Sequence, residues 1–221
     1  RARLAEQLDG ADMFAVAMPH EAFALRAAGC DKPLLVLHGF SNSDELELFS
    51  ELHIATVIHQ RRQLETLLAH KIGSAIDAWI KLDTGMHRLG INSTEAEHFF
   101  SELRNSDKVN KVYMMSHFAN ADDIENDFNI SQLEEFIKVT NDIDVDCSMA
   151  NSAAILRQPK SHFEVVRPGI MLYGSSPFPD VSAAELNLQA VMQFESILLD
   201  IKTLNAGEAI GYGSTFTCEK E

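Results

Sequence analysis

Lys81-Leu82-Asp83-Thr84-Gly85-Met86-His87-Arg88-Leu89-Gly90 follows directly on Ala78-Trp79-Ile80. The apolar residues read as the start of a buried strand. The polar, glycine-containing run reads as a turn that carries a cation, Arg88, past the strand's end. In parallel α/β folds, chemistry gathers at the C-terminal ends of strands. Similar short apolar runs occur at Met13–Ala17, Leu34–Leu37, Ala55–Ile58, Ala78–Leu82, Val112–Ser116, Asp146–Met149 and Gly169–Tyr173.

Amphipathic segments lie between these runs. His20–Ala28 ends at Gly29, a residue free to take positive φ. Ser43 opens a second helix, with Asp44 and Glu45 in the first turn where the helix dipole favours acids. Leu64, Leu67 and Leu68 share one helical face. Thr94–Leu103 and Ser131–Val139 repeat the pattern, with Phe99 and Leu103, then Leu133, Phe136 and Ile137, expected to point inward. Strand–helix alternation implies a parallel sheet. Seven such strands without a Gly-x-Gly-x-x-Gly turn favour a (β/α) barrel over a doubly wound sheet. A break falls at Ser175-Ser176-Pro177-Phe178-Pro179. Beyond it Ala190, Met192, Phe194 and Ser196 alternate with Val191, Gln193 and Glu195, and Ile197–Ile201 follows. The expected division is a barrel over residues 1–178 and the start of a β-rich domain over residues 179–221.

The 221 residues, 46% of them hydrophobic, suffice for one sizeable core. A formal net charge of -15 argues against nucleic-acid or anionic-membrane partners and suits plain solubility. Cys30, Cys147 and Cys218 are scattered, with no CxxC pair, so neither a disulfide framework nor a metal site is expected. Reduced thiols fit a cytoplasmic protein best. No apolar run approaches ~18 residues. Position 1 is Arg and opens in mid-helix pattern, and Phe216-Thr217-Cys218-Glu219-Lys220-Glu221 carries no stop signal. The chain reads as a fragment cut at both ends.

Four further segments could carry chemistry. Met115-Ser116-His117-Phe118-Ala119-Asn120-Ala121-Asp122 places His117 just past a strand, where a neutral imidazole can also be purely structural. The acids that follow lack calcium-loop spacing and read as a solvated helix start. In Ser148-Met149-Ala150-Asn151-Ser152-Ala153-Ala154, Ser152 could give its hydroxyl to a phosphate, cap a helix, or do both. In Arg167-Pro168-Gly169-Ile170-Met171-Leu172-Tyr173-Gly174, an arginine in an apolar strand needs a partner, either a ligand or a core carboxylate. Ala209-Ile210-Gly211-Tyr212-Gly213-Ser214-Thr215-Phe216 sets Tyr212 between glycines, which alone marks only a turn.

The run Lys81–Gly90 resembles the K-[VLM]-D-T-G-M-x-R-[LI]-G signature of the alanine racemases, a family that uses pyridoxal phosphate. The other segments resemble that family's [ST]-H-F-A-x-A-[DE], H-x-A-N-S-A-A (with Ser148 for the His), R-[PFI]-G-[IL]-x-[LM]-Y-G and [VM]-[GS]-Y-G-x-x-[YFW] motifs, in order and at similar spacing. Ala11–Ala17 and Leu25–Gly29 look like its second strand and helix. The resemblance implies a pyridoxal-phosphate-binding (β/α)8, TIM-type barrel lacking its first strand, and a homodimer with shared active sites. It implies interconversion of L- and D-alanine for peptidoglycan precursors by two-base proton transfer. Ser152, Asn151, Gly169, Ile170 and Tyr173 would hold the cofactor. Arg167 would face the pyridine nitrogen and, being unable to give up its proton, would leave that nitrogen unprotonated and weaken the ring as an electron sink. Arg88 would serve the cofactor's phenolic oxygen and the substrate carboxylate. Tyr212, reaching the partner subunit's site, would be an acid/base whose ionisation the positive charge of His117 and Arg167 favours. Lys81, with Asp83 beside it, would be a structural residue near the site that can be carbamylated and pair with Arg88. The lysine that holds the cofactor covalently lies, in the family, on a first strand with no counterpart here, so the chain alone should be inactive. A broad-specificity racemase of the same fold and a ligand-binding remnant are the alternatives. Decarboxylases of that fold lack the Lys81–Gly90 pattern.

Overall fold

The computed structural model describes residue 5 and residues 7–220. The chain's opening at Arg1, read above as mid-helix, lies outside them. Two compact units divide the chain, Arg1–Gln189 and Ala190–Glu221.

The first unit is a curled sheet of six parallel strands in sequence order, with helices returning the chain between them, as in a TIM barrel. The strands are β1 (Phe14–Val16), β2 (Leu34–Val36), β3 (Ile54–Ile58), β4 (Ile76–Lys81), β5 (Val109–Met115) and β6 (Asp146–Ser148). The helices are α1 (Pro19–Ala27), α2 (Ser43–Glu51), α3 (Arg61–Ala69), α4 (Ala96–Arg104), α5 (Phe128–Thr140) and α6 (Ser152–Arg157). Period-two alternation sends Leu34, Val36, Ile54, Ile58, Ala78, Ile80 and Met114 to the helix side, where Leu46, Phe49, Leu67, Phe99 and Leu103 meet them. The opposite residues, Leu35, Ala55, Val57, Trp79 and Met115, form a second core inside the curl. There Trp79 stacks on its register partner Tyr113 with ring centroids 4.2 Å apart. The Trp79 indole N–H and the Asn129 Oδ1 are buried without a hydrogen-bond partner among the described residues.

Two local expectations need correction, at Gly169–Tyr173 and along α5. The seventh strand expected at Gly169–Tyr173 is a 3₁₀ turn over Ile170–Tyr173. The extended piece beside β6 comes earlier: Val165 N–H donates to Cys147 O (3.1 Å) and Arg167 N–H to Ala150 O (3.0 Å). Pro168 has no N–H to continue that ladder. At α2 the cap is Asn42, whose Oδ1 accepts from Glu45 N–H (2.9 Å), and Ser43 is the first helical residue. Along α5 the buried positions are Asn129, Gln132, Phe136 and Thr140. Two amides thus occupy the inward face, Leu133 is only partly buried, and Ile137 turns outward at 39% exposure.

Phe178 is buried and Val181 and Leu186 pack on the same core, so the chain past the Ser175–Pro179 break stays with this unit. In the second unit β7 (Ala209–Ile210) and β8 (Phe216–Thr217) form an antiparallel hairpin. The alternating stretch 190–205 forms no ladder among the described residues and exposes Phe194 and Leu199 almost fully. A strand pattern becomes a strand only with a partner edge.

The phase of α5 can be tested by urea unfolding. Phe136 is fully buried, with Phe163 edge-on at 5.2 Å, and Phe136→Ala should cost about 3–5 kcal/mol. Ile137→Ala should cost less than about 1 kcal/mol.

Candidate active site

Lys81 is the last residue of β4, and the backbone then makes a closed turn. Asp83 N–H donates to Ile91 O (2.9 Å) and Ile91 N–H to Lys81 O (2.8 Å). Within the turn the Asp83 carboxylate accepts from Gly85 N–H (3.0 Å), His87 N–H (2.9 Å) and the His87 ring (3.0 Å). Burial works against the Asp83 charge, but these donors outweigh it and hold the pKa below the ordinary value. Gly90 closes the turn at φ +142°, where a Cβ would lie 2.6 Å from the Asp83 nitrogen. Arg88 therefore projects from a braced loop. It is exposed and makes no hydrogen bond or ion pair among the described residues.

β5 delivers His117, and the extended 165–167 piece delivers Arg167. The Arg167 guanidinium donates to Ser148 Oγ, Ser116 O (2.5 Å) and Met149 O (3.4 Å), and lies 3.4 Å from His117 Nδ1. No carboxylate meets it among the described residues, so the core ion pair considered from sequence is not its partner. Burial lowers its pKa to about 10, and it stays charged at neutral pH. Arginine only donates, so His117 Nδ1 accepts and Nε2 carries the proton. Burial, then the charges of Arg167, Lys81 and Arg88, lower the His117 pKa to about 3. His117 is therefore neutral at physiological pH, and the expected positive charge from this residue is absent. Lys81 is 8% exposed, and its ammonium makes no hydrogen bond among the described residues. Burial and the nearby Arg88 and Arg167 bring its pKa down to about 8.

Ser152 begins α6 and is buried, while the capping role falls to Asn151, whose Oδ1 accepts from Ala154 N–H (3.1 Å). Ser152 Oγ accepts from Gly169 N–H (2.8 Å) and lies 3.4 Å from Met171 N. The Ile170 N–H has no partner among the described residues. Lys81, Arg88, His117, Asn151, Ser152, Arg167, Gly169 and Ile170 all line one cavity of about 700 Å³ at the strand ends. Tyr173, 42% exposed, does not line it. Tyr212 belongs to the second unit, where it is fully exposed in a 3₁₀ turn over Tyr212–Ser214. A larger hollow, about 830 Å³, lies along α4 and α5, lined by mixed charges such as Arg104, Lys138 and Asp142.

Sequence reasoning missed His38, which lines the same cavity just past β2. A polar residue between an apolar run and Gly39 was the available signal. It also missed His59, buried at the end of β3, where burial lowers its pKa.

The sequence profile described as "Alanine racemase, N-terminal domain" matches residues 1–177. The chain belongs to this family. It is 41% identical over 219 residues to the alanine racemase of Pseudomonas syringae, covering 99% of the chain and 61% of that protein. With the alanine racemase of Vibrio cholerae it shares 39% identity over 213 residues, 96% of the chain and 59% of that protein. The crystal structure of the biosynthetic alanine racemase from Pseudomonas aeruginosa superposes with a TM-score of 0.91 at 38% identity, covering 99% of the chain and 62% of that structure. The Acinetobacter baumannii alanine racemase gives a TM-score of 0.84 at 35% identity, over 97% of the chain and 61% of that structure. The chain thus spans about three fifths of the length of these relatives.

The His117 environment yields a pH prediction. The unfolded imidazole titrates near 6.5 and the folded one near 3, so between these values the unfolded chain binds more protons. Stability should fall as pH drops from 6.5 towards 3, and His117→Gln should flatten that limb. NMR titration of the His117 ring should give a midpoint near 3.

Proposed function

We propose that this chain is the cofactor-binding barrel of an enzyme that interconverts L- and D-alanine, with pyridoxal 5′-phosphate seated at the strand-end cavity. The observation that carries the reading is a pocket with unmatched demand for an anion. Among the described residues it combines a buried Lys81 ammonium with no hydrogen bond, an Arg88 with no ion pair, an Arg167 that meets no carboxylate and an Ile170 N–H with no acceptor, against one exposed carboxylate in the lining, Asp122. A phosphorylated aromatic ring carrying a carboxylate-bearing substrate fits these donors.

Ser152 Oγ and the Gly169 and Ile170 N–H groups would hold the phosphate, at the end of the cavity formed by α6 and the 3₁₀ turn. Arg167, locked by Ser116, Met149 and Ser148, would give a hydrogen bond to the ring nitrogen without releasing its proton. Arg88 would pair with the phenolic oxygen and the substrate carboxylate, and the Asp83 turn keeps it in place. The bound cofactor supplies an electron-withdrawing ring that makes the substrate's α-proton removable. Inversion needs a proton donor and acceptor on both faces of Cα. Tyr212 of the partner subunit would serve one face in a homodimer, and Arg167, not His117, would supply the fixed positive charge on the cavity side. Lys81 would act as a structural residue beside Arg88, and carbamylation would turn it into an anion able to pair with Arg88. A cytoplasmic enzyme supplying D-alanine to cell-wall precursors fits this chemistry.

Two measurements test this. The purified 221-residue chain should take up pyridoxal phosphate weakly and form no D-alanine by itself. Ser152→Ala should weaken uptake about tenfold, roughly 1.4 kcal/mol. Absence of uptake at millimolar cofactor, or an unaffected Ser152→Ala, counts against the phosphate site. For the activity, exchanging the matching 219 residues of the Pseudomonas syringae protein for this chain should retain racemisation. Tyr212→Phe in the exchanged protein should reduce it in both directions by about 10²-fold or more.

A further inference from the structure

Two glutamines sit fully inside the first unit on helices that face the strand ends, and neither touches the cavity. Gln132 on α5 is completely buried. Its Oε1 accepts from Ala119 N–H (2.9 Å), and its Nε2 donates to His117 O (3.2 Å) and lies 3.5 Å from Thr84 Oγ1. Thr84 Oγ1 in turn shares a hydrogen bond with Ser116 Oγ (2.8 Å), which donates to Leu82 O (3.0 Å). One amide thus joins the loop leaving β5, which carries His117, to the loop leaving β4, which carries Arg88. Gln63 on α3 repeats the device one strand pair earlier. Its Oε1 accepts from His59 N–H (3.0 Å) at the end of β3. Its Nε2 donates to His38 O (3.2 Å) and Phe40 O (3.1 Å) in the loop leaving β2. In both cases the helix returns an amide to its own strand's loop and to the preceding one.

A buried amide costs free energy unless it is hydrogen-bonded, and Gln132 has its acceptor and at least one donor engaged on backbone. Backbone partners fix a loop's path in a way that apolar packing does not. Removing the amide would leave Ala119 N–H and His117 O buried or partly buried without partners, so the loop would have to open to water. We propose that Gln132 is a positioning residue for the active site: its amide clamps the His117 loop against the Arg88 loop, so that both side chains meet the cavity in one arrangement. The role as an active-site clamp rests on the racemase reading of the cavity; the clamp itself does not.

The test uses the unliganded chain. Gln132→Met keeps length and bulk but removes the hydrogen bonds. Amide exchange at Ala119 should speed up by about tenfold or more, and the His117 midpoint should rise by about one unit as water and mobility reach the ring past Arg167, Lys81 and Arg88. Phe136→Leu, on the same helix but outside the clamp, should lower stability and leave both readouts unchanged. Gln132→Glu retains an acceptor for Ala119 N–H and should keep that amide protected, whereas Gln132→Met does not. The proposal is overturned if Gln132→Met leaves Ala119 exchange and the His117 midpoint at wild-type values. It is equally overturned if Phe136→Leu moves both readouts as far, or if the Glu and Met variants expose Ala119 alike. Pyridoxal phosphate titration of the wild-type chain is a separate arm. Failure there with the clamp readouts as expected sinks the racemase reading and leaves the clamp standing.

Discussion

The Arg167 guanidinium, held by a serine hydroxyl, two carbonyls and a neutral imidazole, fixes the positions of three chain segments at once. It reaches from the 165–167 piece to the ends of β5 and β6. Its N–H groups are satisfied in ways that leave its charge uncompensated. A buried charge in that condition is costly, and the cost falls when an anion or an electron-rich ring atom arrives. The same need recurs at Lys81, two strands away, and at Arg88. Three cations thus face one exposed acid, Asp122, at the strand ends, and ligand binding at this cavity would relieve stress that folding leaves in place.

This local field runs against the protein as a whole. A net charge of -15 is spread over exposed acids, and in physiological salt such charges are screened beyond roughly 8 Å. Partly buried charges are screened far less. The cavity therefore stays cationic within an acidic molecule, and overall composition carries no information about its sign. The low pKa of His117 follows from the same crowding of cations, after burial.

The strand positions were legible because apolar runs bounded by glycine and polar turns mark buried parallel strands closely, and six of them stand within a few residues of where they were read. Arg88, His117 and Ser152 were legible because each follows such a run, and Arg167 because it stands as a charge at the entry to one. The reading failed where tertiary bonds override local pattern. Ile137 looked inward by helical period, but Gln132 and Asn129 take the inward face because their amides bind loops. Gln132 and Thr84 lie 48 residues apart, and no local spacing announces that contact. The apolar Gly169–Tyr173 run has strand composition, yet Pro168 removes the donor that a ladder needs. His117 was read as a cation because its charge state depends on neighbours from other strands.

Trp79 is the chain's single tryptophan, and it lies inside the curl, on the same strand face as Lys81 and two residues before it. Its ring is 1% exposed and lies flat on Tyr113. The molecule thus contains one indole fluorophore, shielded from solvent and two residues before Lys81, which lines the cavity. Its emission will be that of an apolar environment. An absorbing ring that settles above it becomes visible as quenching, with no label attached and no second tryptophan to dilute the signal.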